Sequence, residues 1–304
     1  SNLAAGLACG VLAVSACALP DGWTDNFEQA KTSAADSGKD LLLDFTGSDW
    51  CGWCIKLREE VFDQPSFKET APENFVLVEL DYPNAVPQSD EVKAQNARLQ
   101  EVYDIAGYPT ILLTDATGLP YAKTGYQPGG SDSYLEHLEE LRGRKAARDE
   151  AMLAADEAEG VDKARALDAA LNAVGLELAV EYYGDVIEQI VELDPEGAAG
   201  LKDKYEQMMN AGRIDEQMQD AFALLSQQEF QAGLAKLNQV MADNELDDQQ
   251  KQIIMAIKGQ VHAEMGDLDK AVEMLNAAIA VMPDSEVAPQ IKELAGQLQA
   301  APDE

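Results

Sequence analysis

Two cysteines separated by two residues, Cys51-Gly52-Trp53-Cys54, are the part of this sequence best suited to chemistry. A thiolate is the attacking species in disulfide exchange, so such a pair can form, break or pass on a disulfide. An apolar strand pattern, Leu41-Leu42-Leu43-Asp44-Phe45, precedes the pair, and a helical pattern follows it through Val61. Cys51 therefore falls at a helix start, where backbone N–H groups and the dipole favour negative charge. That makes Cys51 the nucleophile. Cys54 lies one turn further on, placed to attack a mixed disulfide on Cys51 and resolve it. Trp50 and Trp53 flank the pair outside any apolar run, which suits a docking surface that partly excludes water. A metal site would use the same two thiols, but tetrahedral zinc needs two more ligands. The histidines, His137 and His262, fall in separate expected helices, so no metal is expected. Walker-type, dinucleotide-binding and H-E-x-x-H motifs do not occur.

The elements that must position this pair are legible as an α/β pattern. Trp23, Phe27, Ala30 and Ala34 keep helical spacing, and Gly38 ends that helix. After the strand at 41–45 and the helix carrying the cysteines come a strand over 75–80 and a helix over 89–103. Strands at 110–114 and 121–126 flank the turn Asp115-Ala116-Thr117-Gly118, and Ser131 caps a last helix through Leu141. Residues 145–304 lose the strand signal and read as wholly helical. The basic cluster Arg142, Arg144, Lys145 and Arg148 marks the junction, as solvated charge or a partner for a helix C-terminus. The expected divisions are a leader over 1–18, an α/β domain over 19–144 and an all-helical domain over 145–304.

The leader reading rests on Leu3 to Leu19, which carry no charge and are rich in small residues. The run is short for a membrane span and ends in Ala16-Cys17-Ala18, a small-x-small pattern suited to signal peptidase. Export to a periplasm is the expectation, against a buried N-terminal helix of an intracellular protein. Val14-Ser15-Ala16-Cys17 also has the pattern of a lipobox, which would anchor the chain at Cys17. With ordinary cleavage after Ala18, the reading favoured here, Cys9 and Cys17 belong to the leader, and Cys51 and Cys54 are the cysteines that remain.

The chain has 304 residues and a net charge of −34, with −13 over residues 1–144 and −21 over the remainder. Such a charge excludes phosphate-rich partners, so nucleic acid is not expected. Within the helical half, Gly259, Gly266, Ala271, Leu275, Ala278 and Pro283 keep the small, apolar and terminal-proline positions of a tetratricopeptide unit, which the segment resembles over about one repeat. Gln228 to Gly233 opens a matching helix, 38 residues earlier. Stacked helix pairs of this kind offer a groove for a protein partner; an idiosyncratic bundle that only rigidifies the chain is the alternative.

The stretch Asp44-Phe45-Thr46-Gly47-Ser48-Asp49-Trp50-Cys51-Gly52-Trp53-Cys54 resembles the active-site segment of the thioredoxin superfamily, nearest to exported bacterial members with a W-C-G-W-C core. Gly107-Tyr108-Pro109-Thr110 is similar to that family's cis-proline loop, and Gly125 and the final helix of the domain also fit. The resemblance covers about residues 21–143. It implies a thioredoxin-like domain, a central mixed sheet flanked by helices, and thiol–disulfide oxidoreductase activity. It implies a cis Pro109 opposite Cys51, with Tyr108 beside it in the substrate groove, and Asp44 as the buried carboxylate that takes a proton from Cys54. Asp44 stands one residue further from the first cysteine than in ordinary thioredoxin. Either the strand bulges and still delivers it, or it falls short. The segment Asp81 to Gln95 exceeds a minimal connection and is expected to shape the groove.

No organic cofactor is expected beyond the redox-active Cys51–Cys54 disulfide. Expected partners are protein thiols and disulfides, a membrane electron donor, and a protein on the helical half. The Gly52-Trp53 pair resembles the Gly-containing loops of reducing members of the superfamily, and that resemblance implies a reducing or isomerising role over a disulfide-forming oxidase. The rival of another class is a helical-repeat scaffold with an incidental C-x-x-C.

Overall fold

The computed structural model describes residues 19–300. The expected leader over 1–18, with the lipid-anchor reading of Cys17, lies outside the described residues. The chain divides into two compact units, one ending at Ala199 and one beginning at Gly200.

The first unit is built on a five-stranded sheet. Its strands are β1 (Trp23–Thr24), β2 (Asp40–Thr46), β3 (Phe75–Asp81), β4 (Thr110–Thr114) and β5 (Pro120–Thr124), in the order β1-β3-β2-β4-β5. β2 pairs parallel with β3 and antiparallel with β4, and β5 closes the edge antiparallel to β4. All seven residues of β2 are buried, which is why its sequence is a nearly unbroken apolar run. Helix α1 (Phe27–Ser37) starts at Asn26, whose side chain accepts from the Gln29 N–H, and ends at Gly38 in the left-handed conformation. Helix α2 (Gly52–Leu57) follows the cysteine turn and runs into a π-helical turn, Arg58–Phe62. Then come α3 (Pro65–Asn74) and α4 (Asp90–Val102), the latter capped by Ser89. Leu41, Leu43, Phe45, Val78, Leu80 and Leu112 pack from the sheet onto Phe27, Ala30, Ala34, Leu99 and Tyr103.

Three local expectations change. Trp23 begins β1, paired with Leu77, rather than a helix; its ring lies against Phe62 and Phe67, which the sequence pattern did not link to it. Helix α3 is an additional element, with Pro65 in its first turn and Phe67 and Ala71 buried. The last strand runs from Pro120 to Thr124 rather than 121 to 126.

The helix expected to end at Leu141 continues as α5 (Gly130–Glu157), so position 144/145 falls inside one unbroken helix. Helices α6 (Gly160–Val174), α7 (Leu176–Tyr182) and α8 (Gly184–Leu193) complete the unit. The basic cluster on α5 is used for packing. Arg142 and Lys145 each lie 3.8 Å from the buried Asp40 carboxylate, which also accepts from the Tyr121 hydroxyl. Arg148 is 5% exposed, donates to the Tyr183 hydroxyl at 3.0 Å and pairs with Asp115 at 3.2 Å. Tyr183 in turn donates to the Pro120 carbonyl, and Tyr182 to that of Tyr103. These bonds tie α5 and α7 to the sheet end of the same unit, which sequence periodicity does not report.

The second unit comprises α9 (Leu201–Ser226), α10 (Phe230–Asp243), α11 (Asp248–Glu264), α12 (Leu268–Val281) and α13 (Ala288–Gln299). Asp247 and Gln250 form a reciprocal capping box on α11. A side chain at Gly259 would meet Leu275 and, at 3.1 Å, the Ala271 carbonyl, so this glycine lets α11 and α12 approach closely. Gln252, fully buried, donates to the Ala278 and Met282 carbonyls and closes that pair.

Replacing Arg148 with Met leaves Asp115 and Tyr183 without their buried partner. Chemical unfolding is expected to show a loss of about 2–4 kcal/mol. An unchanged denaturation midpoint would contradict the anchoring role.

Candidate functional site

Cys51 and Cys54 form a disulfide, with Cα atoms 5.2 Å apart. Cys51 caps the start of α2: its Sγ accepts the Cys54 backbone N–H at 3.2 Å. Both are largely enclosed, Cys51 at 7% exposure and Cys54 at 3%, so Cys51 is the more accessible of the two. The turn ahead of them is closed by the Gly47 carbonyl, which accepts from the Cys51 N–H at 2.9 Å. A side chain at Gly47 would collide with the Trp50 ring, so this position needs a glycine.

Trp50 and Trp53 are 46% and 58% exposed, large values for tryptophan, one just before Cys51 and the other between the two cysteines. Trp50 meets Tyr108 edge-on at 5.7 Å, and Tyr108 leans on Tyr82 at 5.2 Å. Trp53 packs on Tyr126 at 5.2 Å, with the Lys56 ammonium over both rings. The Tyr108–Pro109 peptide is cis. Gly125 runs close beneath it, since a side chain there would lie 3.1 Å from the Pro109 carbonyl oxygen. The Trp50–Tyr108 contact thus joins the cis-proline loop to the cysteine segment.

The connection after β3 is fastened to the turn before the cysteines. Ser48 donates to Asp81 through both its N–H and its hydroxyl, at 2.8 and 2.6 Å. Asp49 accepts from the Asn84 and Ala85 N–H groups, at 2.9 and 2.6 Å, which hold its carboxyl below the usual range. The Trp50 indole N–H donates to the Tyr82 carbonyl at 2.8 Å. This long connection therefore reaches the site through Tyr82 and the residues that follow it.

Asp44 lies inside the sheet at 2% exposure. β2 keeps unbroken register with both neighbours through this residue, so no bulge delivers it. The Asp44 Oδ1 has no hydrogen-bond partner, and its other oxygen is 3.8 Å from the Arg58 guanidinium. Burial pushes this carboxyl up to about 8; Arg58 opposes the shift, while Glu79 and Asp81 add to it. Glu79, paired with Asp44 across the β2–β3 ladder, is itself buried and bonds the same guanidinium. Burial raises the Glu79 carboxyl too. Arg58 and Glu79 were not singled out in the sequence. The available signal was a glutamate inside the apolar run Phe75-Val76-Leu77-Val78-Glu79-Leu80.

His137 bonds the Thr124 hydroxyl at 2.9 Å, and His262 lies 3.6 Å from Asp267, in the other unit. Among the described residues, no group of three or more His, Cys, Asp or Glu side chains is placed to hold a metal ion.

A thioredoxin-like family model matches residues 22–116, the span from just before β1 to just past β4. The disulfide bond reductase DsbH of Chlamydia pneumoniae is 32% identical over 114 residues, covering 38% of this chain and 69% of that protein. The chain belongs to the thioredoxin-like family. The thioredoxin-related protein DsbJ of the same organism is 33% identical over 91 residues, or 30% of this chain and 26% of that protein. A solved DsbH oxidoreductase has 30% identity and a TM-score of 0.38, over 45% of this chain and 94% of that one. The thioredoxin-like unit, with its Cys51–Cys54 disulfide, makes this chain a thiol–disulfide oxidoreductase.

The buried Asp44 has a consequence for stability. Unfolded, it ionises near pH 3.9; folded, near 8. Between those values the folded state holds a proton that the unfolded state has released, so its contribution falls as pH rises. Asp44→Asn is expected to raise the free energy of unfolding, more at pH 9 than at pH 5, by an amount on the order of a few kcal/mol at the higher pH in chemical denaturation. An equal effect at both pH values would contradict the raised pKa of Asp44.

Proposed function

We propose that this chain is an exported thiol–disulfide reductase, able also to isomerise disulfides, with Cys51 as nucleophile and Cys54 as resolving thiol. The observation that carries the assignment is the position of Cys51 at the start of α2. Its sulfur already accepts a backbone N–H there, and it is the more accessible thiol. In the reduced protein the Cys51 thiolate attacks a substrate disulfide. A bond to one substrate sulfur forms, and the other leaves as thiolate. Cys54 gives its proton to Asp44 and attacks the Cys51 sulfur. The second substrate thiolate departs, and the Cys51–Cys54 disulfide forms. The substrate gains two electrons and the protein loses them; a membrane thiol donor restores the dithiol. Trp50, Trp53, Tyr108 and Pro109 form the groove for the substrate chain.

The reducing direction draws on the similarity to a protein named a disulfide bond reductase, and on a buried base that assists the step releasing reduced product. Export draws on the uncharged run Leu3–Leu19 and its small-x-small ending. Among the described residues no helix is long and apolar enough to cross a membrane. The helices from Gly200 onward are proposed as a tetratricopeptide-like platform for a protein partner, supported by the close approach at Gly259.

Reduced Cys54→Ser protein, incubated with insulin, is expected to accumulate a covalent adduct that dithiothreitol cleaves. Cys51→Ser should form none and should lose insulin reduction. Undiminished reduction by Cys51→Ser would remove the thiol mechanism and favour the scaffold reading.

A further inference from the structure

Asp44 has charged neighbours of its own inside the sheet. One guanidinium, that of Arg58, serves two buried carboxylates: it bonds Glu79 closely and stands 3.8 Å from Asp44. Asp44 and Glu79 are register partners on adjacent strands, so their side chains share one face of the sheet. Two acids compete for one cation, and the closer contact goes to Glu79. Asp44 is left with one oxygen that has no partner. Arg58 and Glu79 also line a cavity of about 680 Å³, together with Ser48, Asp49 and Asp81. None of Cys51, Cys54, Tyr108 or Pro109 lines it. The pair is thus in touch with solvent through a cavity that the thiols do not line.

We propose that Arg58 and Glu79 are positioning residues that set the proton affinity of Asp44: Glu79 draws the Arg58 charge away and so keeps Asp44 a stronger base. This rests on the reading of Asp44 as the proton acceptor for Cys54. The groups that face Asp44 are Arg58 from the π-helical turn, Glu79 and Asp81 from β3, and Tyr134 from α5. Asp81 is already engaged by Ser48, and the Tyr134 hydroxyl donates to the Gly125 carbonyl, so neither competes for Arg58 in this arrangement. Neutralising Glu79 acts in one direction by two routes. It frees the guanidinium for Asp44, and it removes a neighbouring negative charge. Removing the guanidinium acts in the opposite direction.

The resolving step can be read alone. Reduced protein mixed with 5,5′-dithiobis(2-nitrobenzoate) releases one thionitrobenzoate as Cys51 attacks. It releases a second, in a concentration-independent phase, when Cys54 displaces it and the intramolecular disulfide forms. The rate of that second phase is followed against pH in the full chain. The wild type is expected to rise through an inflection near pH 8, where Asp44 ionises. Glu79→Gln, which keeps an oxygen to accept from Arg58, is expected to move that inflection down by about one unit. Arg58→Met is expected to move it up. Thermal melts of both variants establish that they are folded, and the Gln variant carries the test if the Met variant is not. Asp44→Asn separates the two layers of the argument. If it abolishes the inflection while Glu79→Gln leaves it in place, the Arg58–Glu79 proposal is overturned and the acceptor role of Asp44 stands. If Asp44→Asn leaves the inflection in place, both fall.

Discussion

Everything at the redox site hangs from β2. The strand lies between a parallel and an antiparallel neighbour, and its seven residues are enclosed on both faces. Such a strand cannot slip by one residue without sending every side chain to the opposite face and into packing built for another, so its register is strongly specified. That register does three things together. It seats Asp44 inside the sheet beside Glu79, it delivers Gly47 to close the turn before the cysteines, and it aims Cys51 at the start of α2. The sheet edges and the helices that follow have more latitude.

The site carries a cost that the surrounding packing offsets. Two buried carboxylates share a single guanidinium, and one carboxylate oxygen has no partner. Burying charge in this way is unfavourable unless it is paired, and proteins rarely keep it without use. The aromatic rings around the thiols contribute in the other direction. Trp50, Tyr108, Tyr82 and Phe45 make a continuous run of ring contacts from the exposed Trp50 to the core. An exposed, preformed apolar wall of this kind suits an extended protein segment.

The sequence displays some of this and hides the rest, for physical reasons. Cys51, Cys54 and the strand before them are local features, visible from spacing and apolar runs. The central strands and the helix end at Gly38 are local too, and the structure has them where the pattern puts them, whereas Ser131, expected as a cap, lies inside α5. What the pattern missed depends on pairing between distant segments. Trp23 is in a strand because Leu77 is there to pair with it. Arg58 and Glu79 matter because a π-helical turn and a strand register bring them to Asp44, and neither leaves a mark in periodicity. The run past Leu141 looked like a boundary because basic residues cluster there. Arg142, Lys145 and Arg148 are held by Asp40, Asp115 and Tyr183, and the compact division comes after Ala199.

The direction of electron flow is the claim on which the functional account turns. The decisive measurement is the reduction potential of the Cys51–Cys54 pair, taken by thiol trapping across defined redox buffers. A value near that of thioredoxin, about −270 mV, is what the account predicts, and it makes the dithiol a donor to protein disulfides. A value near about −120 mV would contradict it, because a disulfide that oxidising installs bonds in substrates rather than removing them.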